Sequence, residues 1–464
     1  MITLDLTSII EFLSDNAVPL LSSALVLFVL GTFLWLVGSA AAKLWLIHIQ
    51  HDYEHNQKFI LLAIDIPPEN LQTPKAAEQI FAQLHGAQSN PNMKEKWLTG
   101  KHQQTFSFEI VSIGGYIQFL IRTNEVFRDL VESAIYAQYP DAEITEIADY
   151  ASGLPTKFPD PTHELWAIEF VLAKKSAYPI RSYPDFEHTS AEEVFKDPMA
   201  ALLEVLSKLR TGEQAWLQLV IAPVDDDWKD EGEEIVDFLA GKPGKETKKG
   251  FVDKLAAFPL LALSAISDAL LPTYGGEGEG AKKSPEFVWS LVQHLTGGEK
   301  DDIQAIEDKI SKIGYRVKFR FGYLSPHDIF SKARGVAPVV GAIKQFNTIN
   351  LNAFKGSKLV KTDEPVYAFA AKRTANRQKA FMRAFKVRSS HRGAGHGFIL
   401  NIEELATVWH FPINTVRAPL VKKTDAKRSE PPTRLPVETE AMAASMQEKR
   451  ERATAGVPTN LPSV

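Results

Sequence analysis

Three histidines and an aspartate are spaced so that a helix would bring them to one face. His48, His51 and His55 are three and four residues apart, and Asp52 follows His48 by four. Residues at these intervals are neighbours on a helix surface, and imidazole with carboxylate suits zinc or iron. One hypothesis is therefore a membrane-tethered, metal-dependent enzyme. The other, which we favour, is a polar helix face at the lipid headgroups, because no second set of ligands accompanies these residues.

Two glycine-rich stretches could be compared with phosphate-binding loops, which need the pattern G-x-x-x-x-G-K-[ST]. GGEGEGAKKS at 275–284 lacks the Gly-Lys junction, and its Glu277 and Glu279 would repel phosphate. GAGHG at 393–397 follows no predicted strand and opens no predicted helix. The sequence also has no G-x-S-x-G, no H-E-x-x-H and no cysteine. We therefore predict no catalytic residues, no cofactor and no metal, and that the chain is not an enzyme.

One basic cluster remains as a candidate binding surface. No acidic residue occurs between Glu364 and Glu403, a window with several lysines and arginines. The candidate contacts to an anionic surface are Lys372, Arg373, Arg377, Arg383, Lys386 and Arg388. Anionic lipid and nucleic-acid phosphate are two possible ligands. The third interpretation is a solvated helix face, on which Phe381 and Phe385 serve only for packing.

These residues must be positioned around an apolar segment near the N-terminus. The run from Ala17 to Ala42 is uncharged, with Lys43 and Trp45 after it. About 20 helical residues cross a hydrocarbon core about 30 Å thick, and a single span has to be helical. We predict a transmembrane helix over 17–47, preceded by a short extracytoplasmic N-terminus, 1–16.

The flanking charges predict the orientation of this span. Acidic residues alone precede it, whereas Lys43 and Lys58 follow it. Because positive residues flank the cytoplasmic end of a span, we expect a single-pass protein of the inner (plasma) membrane, with its N-terminus outside and its bulk in the cytoplasm. The alternative is a cleaved signal peptide that ends at GSAAA, 38–42. Such peptides have a basic n-region, and this one is acidic.

The 464 residues carry a formal net charge of −5 and an apolar fraction of 45%, which fits globular domains without general affinity for nucleic acid. Over 58–150, an apolar run at 59–66 precedes a helix that begins at Thr73-Pro74. Two alternating strands then flank Gly114-Gly115, a pair suited to a tight turn. A second helix and strand complete the order βαββαβ, which is ferredoxin-like.

A second unit of the same order is predicted over 160–411, with a helical insertion at 225–299 and a closing strand at 366–370. The fold class is therefore α+β, with a transmembrane helix and two tandem ferredoxin-like units. Within the insertion, the apolar segment 251–272 is too short to span. It either packs as a helix pair or lies on the bilayer. The Pro-rich tail, 412–464, is predicted to be mostly disordered.

Parts of the sequence resemble a known family. FILLAIDIPPENLQTPKAAEQIFAQLHG, FSFEIVSIGGYIQFLIRTNEVFRDLVESAIYAQYPDAEI and FILNIEELATVWHFP with EPPTRLP are similar to the membrane-anchored N-terminal region of bacterial conjugation and type IV secretion-type ATPases. The similarity is discontinuous over 58–436. In that family a P-loop motor follows, whereas this chain ends at Val464. The resemblance therefore implies a membrane-anchored partner or scaffold, and it implies no catalysis.

The sequence as a whole predicts a non-enzymatic, single-span membrane protein that acts as a partner or scaffold in a secretion or conjugation-type assembly. The expected partners are the membrane, another protein such as a separate P-loop ATPase, and a second copy in a homo-oligomer. The alternatives are a membrane-tethered protein that binds nucleic acid or lipid through the basic window, and the metal-dependent enzyme.

Overall fold

The computed structural model describes residues 6–186, 197–240, 296–363 and 369–413. The helices are α1 (Leu6–His55), α2 (Pro74–Leu84), α3 (Arg128–Gln138), α4 (Met199–Ser207), α5 (Lys229–Leu239), α6 (Gly297–Ile310), α7 (Lys332–Gly335), α8 (Ala337–Lys344), α9 (Ala370–Lys386) and α10 (Ile402–Val408). Shorter 3₁₀ turns cover His85–Ala87, Glu125–Phe127, Tyr150–Gly153, Tyr183–Phe186 and Asp226–Trp228, and a π-helical turn covers Glu95–Thr99. The predictions made for 251–272, 275–284 and 414–464 lie outside the described residues.

The strands form one antiparallel sheet. They are β1 (Phe59–Asp65), β2 (Phe106–Ile113), β3 (Tyr116–Asn124), β4 (Glu143–Ile147), β5 (His163–Leu172), β6 (Gln214–Pro223), β7 (Gly314–Pro326), β8 (Phe354–Gly356) and β9 (Phe398–Asn401). Their order is β4-β1-β3-β2-β6-β7-β5-β8, and β9 pairs with the start of β7. The sheet is continuous across the boundary between the two predicted units, because β2 pairs with β6 from Phe106↔Ile221 to Ile113↔Gln214.

Local sequence signals account for many element boundaries. Gly114 and Gly115 both have positive φ between β2 and β3, as the hairpin prediction requires. Asn401 and Glu404 form the predicted capping box at the start of α10. Pro74 occupies the first turn of α2, but the Thr73 hydroxyl makes no cap. The α+β fold class and the N-terminal apolar helix are confirmed.

One face of the sheet buries the larger apolar core. Alternate residues of the strands point toward α2, α3, α4, α8 and α10. Trp409 lies among aromatic rings there, with ring centroids 4.7 Å from Phe108 and 4.9 Å from Phe411. Because β9, just before α10, pairs with β7 of the second half, the chain from β9 to Trp409 joins the two halves of the sheet.

The opposite face carries a smaller core beneath α9. Phe381, Met382 and Phe385 are buried against strand residues that include Trp216 and Leu165. The ring centroids of Trp216 and Phe385 lie 5.1 Å apart. This face positions the basic window, because α9 lies within it.

The second half differs from expectation at its edge. The edge strand is β8, where Phe354 pairs with Leu172, whereas a strand was predicted at 366–370. Residue Ala370 instead begins α9, a segment rich in strong helix formers; residues 366–368 lie outside the described residues. Phe354 is buried among Phe170, Phe319 and Phe398, so packing selects the earlier segment.

Candidate functional site

The basic window is built on α9, which is held by its apolar side. Phe381 and Phe385 are buried, as predicted. Gln378 also attaches α9 to β5 by hydrogen bonds, because its Nε2 donates to the Leu165 carbonyl at 2.7 Å and to Glu164 Oε1 at 3.1 Å. The outward side of the helix is thereby fixed.

Two of the predicted contact residues, Lys372 and Arg383, share that outward side with Lys379, a further lysine of the same window. Lys372, Lys379 and Arg383 are exposed, and at 100° per residue they fall within about 40° of one another around the axis. We call these three the basic stripe. Arg373 is also exposed, whereas Arg377 and Lys386 are half-buried. The Arg377 guanidinium donates to the Lys361 carbonyl at 3.0 Å, and Lys386 Nζ donates to the Leu154 carbonyl.

Arg388 does not belong to this surface, and its prediction as an anionic-surface contact is wrong. It is 2% exposed and lies just beyond α9 with φ 51°. Its Nε donates to Glu109 Oε1 at 2.9 Å, and its Nη2 donates to Asp149 Oδ1 at 2.8 Å. Burial would lower the pKa of Arg388, but the charges of Glu109 and Asp149 raise it overall. The residue is a buried structural cation.

Glu109 begins a row of buried polar side chains across four strands. Strand register places Glu109 opposite Gln218, Gln218 opposite Arg320, and Arg320 opposite Glu169. Gln218 Nε2 donates to Glu109 Oε1 at 3.1 Å, and Arg320 Nη1 donates to Gln218 Oε1 at 3.1 Å. Arg320 Nε lies 3.4 Å from Glu169 Oε2. We call Glu109, Gln218, Arg320 and Glu169 the polar row.

Two members of the polar row, Arg320 and Glu169, bind the glycine-rich loop that follows α9 together with the neighbouring Lys318. Lys318 Nζ donates to the carbonyls of Ala394 and Gly395, each at 2.8 Å, and Arg320 Nη2 donates to that of Arg392 at 2.9 Å. The Ala394 amide donates to Glu169 Oε1 at 3.0 Å. The loop thus turns three carbonyl oxygens toward cations, and its Ala394 amide is already bonded to Glu169, whereas a phosphate loop presents several free amides to its anion. GAGHG serves here as a structural cover over buried charges.

The predicted histidine face lies at the end of α1. His48 Nε2 is 3.5 Å and His51 Nδ1 is 3.9 Å from Asp52 carboxylate oxygens, all on exposed side chains. The rings of His51 and His55 stack at 6.4 Å. Within the described residues, no group of three or more His, Asp or Glu side chains is arranged to hold a metal, so geometry gives the metal hypothesis no support.

The end of α1 forms a joint with the body through contacts that the sequence does not predict. Trp45 Nε1 donates to the Trp97 carbonyl at 3.3 Å, and His102 Nε2 lies 3.1 Å from Glu54 Oε1. Gly100, at φ 72°, approaches α1 so closely that an added Cβ would lie 2.2 Å from the Ile49 carbonyl oxygen. Burial lowers the pKa of His102, but its bonds to Glu54 and the Gly100 carbonyl raise it overall. Local sequence offers little to predict this joint beyond Gly100 itself, because the residues that meet there lie about fifty positions apart in the chain.

The basic stripe carries a specific prediction. Changing Lys372, Lys379 and Arg383 together to Gln should weaken the binding of separate anionic vesicles to the full chain, anchored through α1 in zwitterionic nanodiscs, by about 3 kcal/mol, because each basic residue near such a surface contributes about 1 kcal/mol. Capture of the anionic vesicles by the nanodiscs measures this loss, with Lys174, Lys208 and Lys355, which are also exposed, changed to Gln as a control of equal charge. Single-stranded DNA offered in parallel should show salt-dependent binding if phosphate is the ligand. Equal binding by both variants would make the stripe a solvated face.

Comparison with known proteins places the chain in a family. The family model described as "Domain of unknown function (DUF8128)" matches residues 50–424. This match spans well over half of the chain, which therefore belongs to that family. No curated protein matches the sequence.

Proposed function

We propose that this member of the DUF8128 family is a non-enzymatic, single-span membrane protein whose cytoplasmic α+β body acts as a partner or scaffold in a secretion or conjugation-type assembly. The observation that carries the proposal is α1. Its stretch Leu25–His55 is long and apolar enough to cross a membrane, and none of its most apolar window is buried inside the protein. An unburied apolar helix of this length needs a lipid environment.

The joint at the end of α1 supports a permanent anchor. The helix is continuous from Leu6 to His55, and its last turns contact Trp97, Gly100 and His102 of the body. A helix packed in this way would hold the folded body at a fixed distance from the bilayer. A body held at a fixed height above a membrane suits a docking role within a larger assembly.

The order of the strands supports a reading as two ferredoxin-like units. In β4-β1-β3-β2 the first strand lies between the fourth and the third, and the second strand is outermost. The other half, β8-β5-β7-β6, repeats that order. The two units would then share one sheet through β2 and β6, with the insertion at 225–299 in the second.

The partner that we propose is a separate P-loop ATPase, because residues 58–436 resemble the N-terminal region of secretion-type ATPases.

The charges beneath α9 pair with one another or with backbone groups, which supports a structural role for the body. A second candidate function, lipid or nucleic-acid binding through the basic stripe, rests on the exposure of Lys372, Lys379 and Arg383.

Purification of the full chain from membranes tests the main proposal. The chain should stay in the membrane fraction after alkaline carbonate extraction, hydrolyse no ATP by itself, and cross-link in cells to an ATP-binding protein identified by mass spectrometry. ATP hydrolysis that follows the chain through successive columns would contradict the proposal, as would release into the soluble fraction by carbonate.

The proposed orientation predicts the result of reporter fusions. A reporter active only outside the cytoplasm should remain silent after Val464 and become active when placed before Met1, because the lysines lie after the span. Changing Lys43 and Lys58 to Glu should weaken this asymmetry. Strong activity from the fusion after Val464 would reverse the orientation and favour the cleaved signal peptide.

A further inference from the structure

The π-helical turn beside α1 exposes large apolar side chains next to lysines. Met93 is 75% exposed and Leu98 is 66% exposed, and both Lys94 and Lys96 are exposed. Trp97, which lies between Met93 and Leu98 in the sequence, is half-buried. We call residues 93–98 the juxtamembrane turn. Isolated apolar side chains are common on protein surfaces, so their position relative to α1 decides what this turn can do.

That position follows from three contacts along α1. Trp97 meets Trp45, Gly100 meets Ile49, and His102 meets Glu54. The chain therefore runs along α1 in the same direction as the helix, and residues 93–98 lie at its end nearer the apolar run. Trp45 is three residues past Ala42, which is about 4.5 Å along a helix. The headgroup layer on each side of a bilayer is about 5–8 Å thick.

We infer that the juxtamembrane turn rests in the headgroup layer, with Met93 and Leu98 inserted among lipids and Lys94 and Lys96 at anionic headgroups. This inference rests on the proposed anchor. An apolar residue beside lysines and a tryptophan is the composition that suits the membrane interface. The acidic residue of the joint, Glu54, lies about 14 Å further along α1 than Trp45, away from the lipid.

The turn would make the body rest on the membrane, so that α1 does not act as a flexible tether. Glu95 lies within the turn and pairs with Lys101 at 3.1 Å, which leaves the two lysines at 94 and 96 as its outward charges. Two contacts, α1 in the bilayer and the turn on its surface, would fix the tilt of the sheet and of any partner docked on it.

The absence of cysteine from the chain makes a direct test possible. Single cysteines replace Leu30, Leu98 or Val126, and each full-length variant carries a polarity-sensitive fluorophore in vesicles containing anionic phosphatidylglycerol. Leu30 lies in the anchor, and Val126 is a matched exposed control at 82% exposure. We expect loss of emission to lipid-borne quenchers at positions 30 and 98, with shallow quenchers acting more strongly at 98, and no loss at 126.

The outcomes separate the inference from the proposed function. Quenching at position 30 with none at 98 would overturn the inference and leave the anchor standing, whereas no quenching at 30 would overturn both. Shielding of position 98 from aqueous iodide without lipid quenching would assign the turn to a protein contact instead. Lys94→Gln with Lys96→Gln should reduce quenching at 98 in anionic vesicles more than in zwitterionic ones; an equal effect in both would remove the role of headgroup charge.

Discussion

Replacing Arg388 with methionine should destabilise the folded body by about 3–5 kcal/mol, the usual cost of removing one partner from a buried ion pair. The substitution leaves the carboxylate of Glu109, which is 0% exposed, without its cation. Asp149 loses the Arg388 Nη2 bond of 2.8 Å at the same time. Methionine fills a similar volume, so the loss reports on charge and hydrogen bonding rather than on a cavity.

Urea unfolding of the full chain in detergent, followed by tryptophan emission, measures this loss. Arg383→Gln is the matched control, because Arg383 lies on the same segment but is exposed; it should change the unfolding free energy by less than about 0.5 kcal/mol. Adding Glu109→Gln to Arg388→Met should recover part of the loss, because the uncompensated buried charge is then removed. Equal unfolding midpoints for Arg388→Met and Arg383→Gln would show that Arg388 is not a buried structural cation.

The elements that local patterns predict best are those whose signals lie within a few neighbouring residues. The strands around Gly114-Gly115 alternate strongly, and the capping box at Asn401 and Glu404 is complete within four residues. Both were predicted correctly, since backbone geometry and side-chain period act over a few residues there. The apolar run of α1 is an equally local signal.

Alternation alone does not show whether a distant segment covers the polar side of a strand. In β7, Lys318 and Arg320 alternate with Phe319 and Phe321, a pattern typical of a half-solvated strand. Both cations are buried because the loop after α9 lies over them and offers its carbonyls. Since that loop is about seventy residues away in sequence, no local pattern could reveal the burial.

Arg388 illustrates the same limit within the candidate site. In the sequence Arg388 is one more basic residue in a window without acidic residues. Its partners Glu109 and Asp149 lie 279 and 239 residues earlier in the chain. The pairing of β2 with β6, which joins the two halves, also cannot be predicted from local sequence, because each segment by itself indicates only a strand. Register between distant strands depends on the whole sheet rather than on either segment.

Replacing Glu404 with glutamine should cost about 3–5 kcal/mol of stability, again because a buried charge loses its partner. Glu404 Oε2 lies 2.9 Å from Lys309 Nζ, and both side chains are almost wholly buried. Its two oxygens also accept from the backbone amides of Ile180 at 2.8 Å and Asn401 at 2.9 Å. Glutamine has one oxygen, so its NH₂ group must face one of these donors.

The loss should depend on pH in a defined direction. Burial lowers the pKa of Lys309 below its usual 10.5, and the charge of Glu404 opposes that effect. Without Glu404 the pKa of folded Lys309 should fall further. Between that pKa and about 10.5 the unfolded chain then binds more protons than the folded one, so the stability of the variant rises with pH. Below that window Lys309 is protonated in both states, and the full loss is present.

Unfolding of the full chain at several pH values tests this pair, with Glu307→Gln on the exposed side of α6 as the control. Glu404→Gln should be far less stable than the control near neutral pH, and the difference should narrow as the solution becomes alkaline. Adding Lys309→Met should remove the alkaline recovery, because the group that titrates is gone. A pH profile parallel to that of Glu307→Gln would mean that the pKa of Lys309 does not depend on Glu404. The buried pair would then not stabilise the contact between α6 and α10.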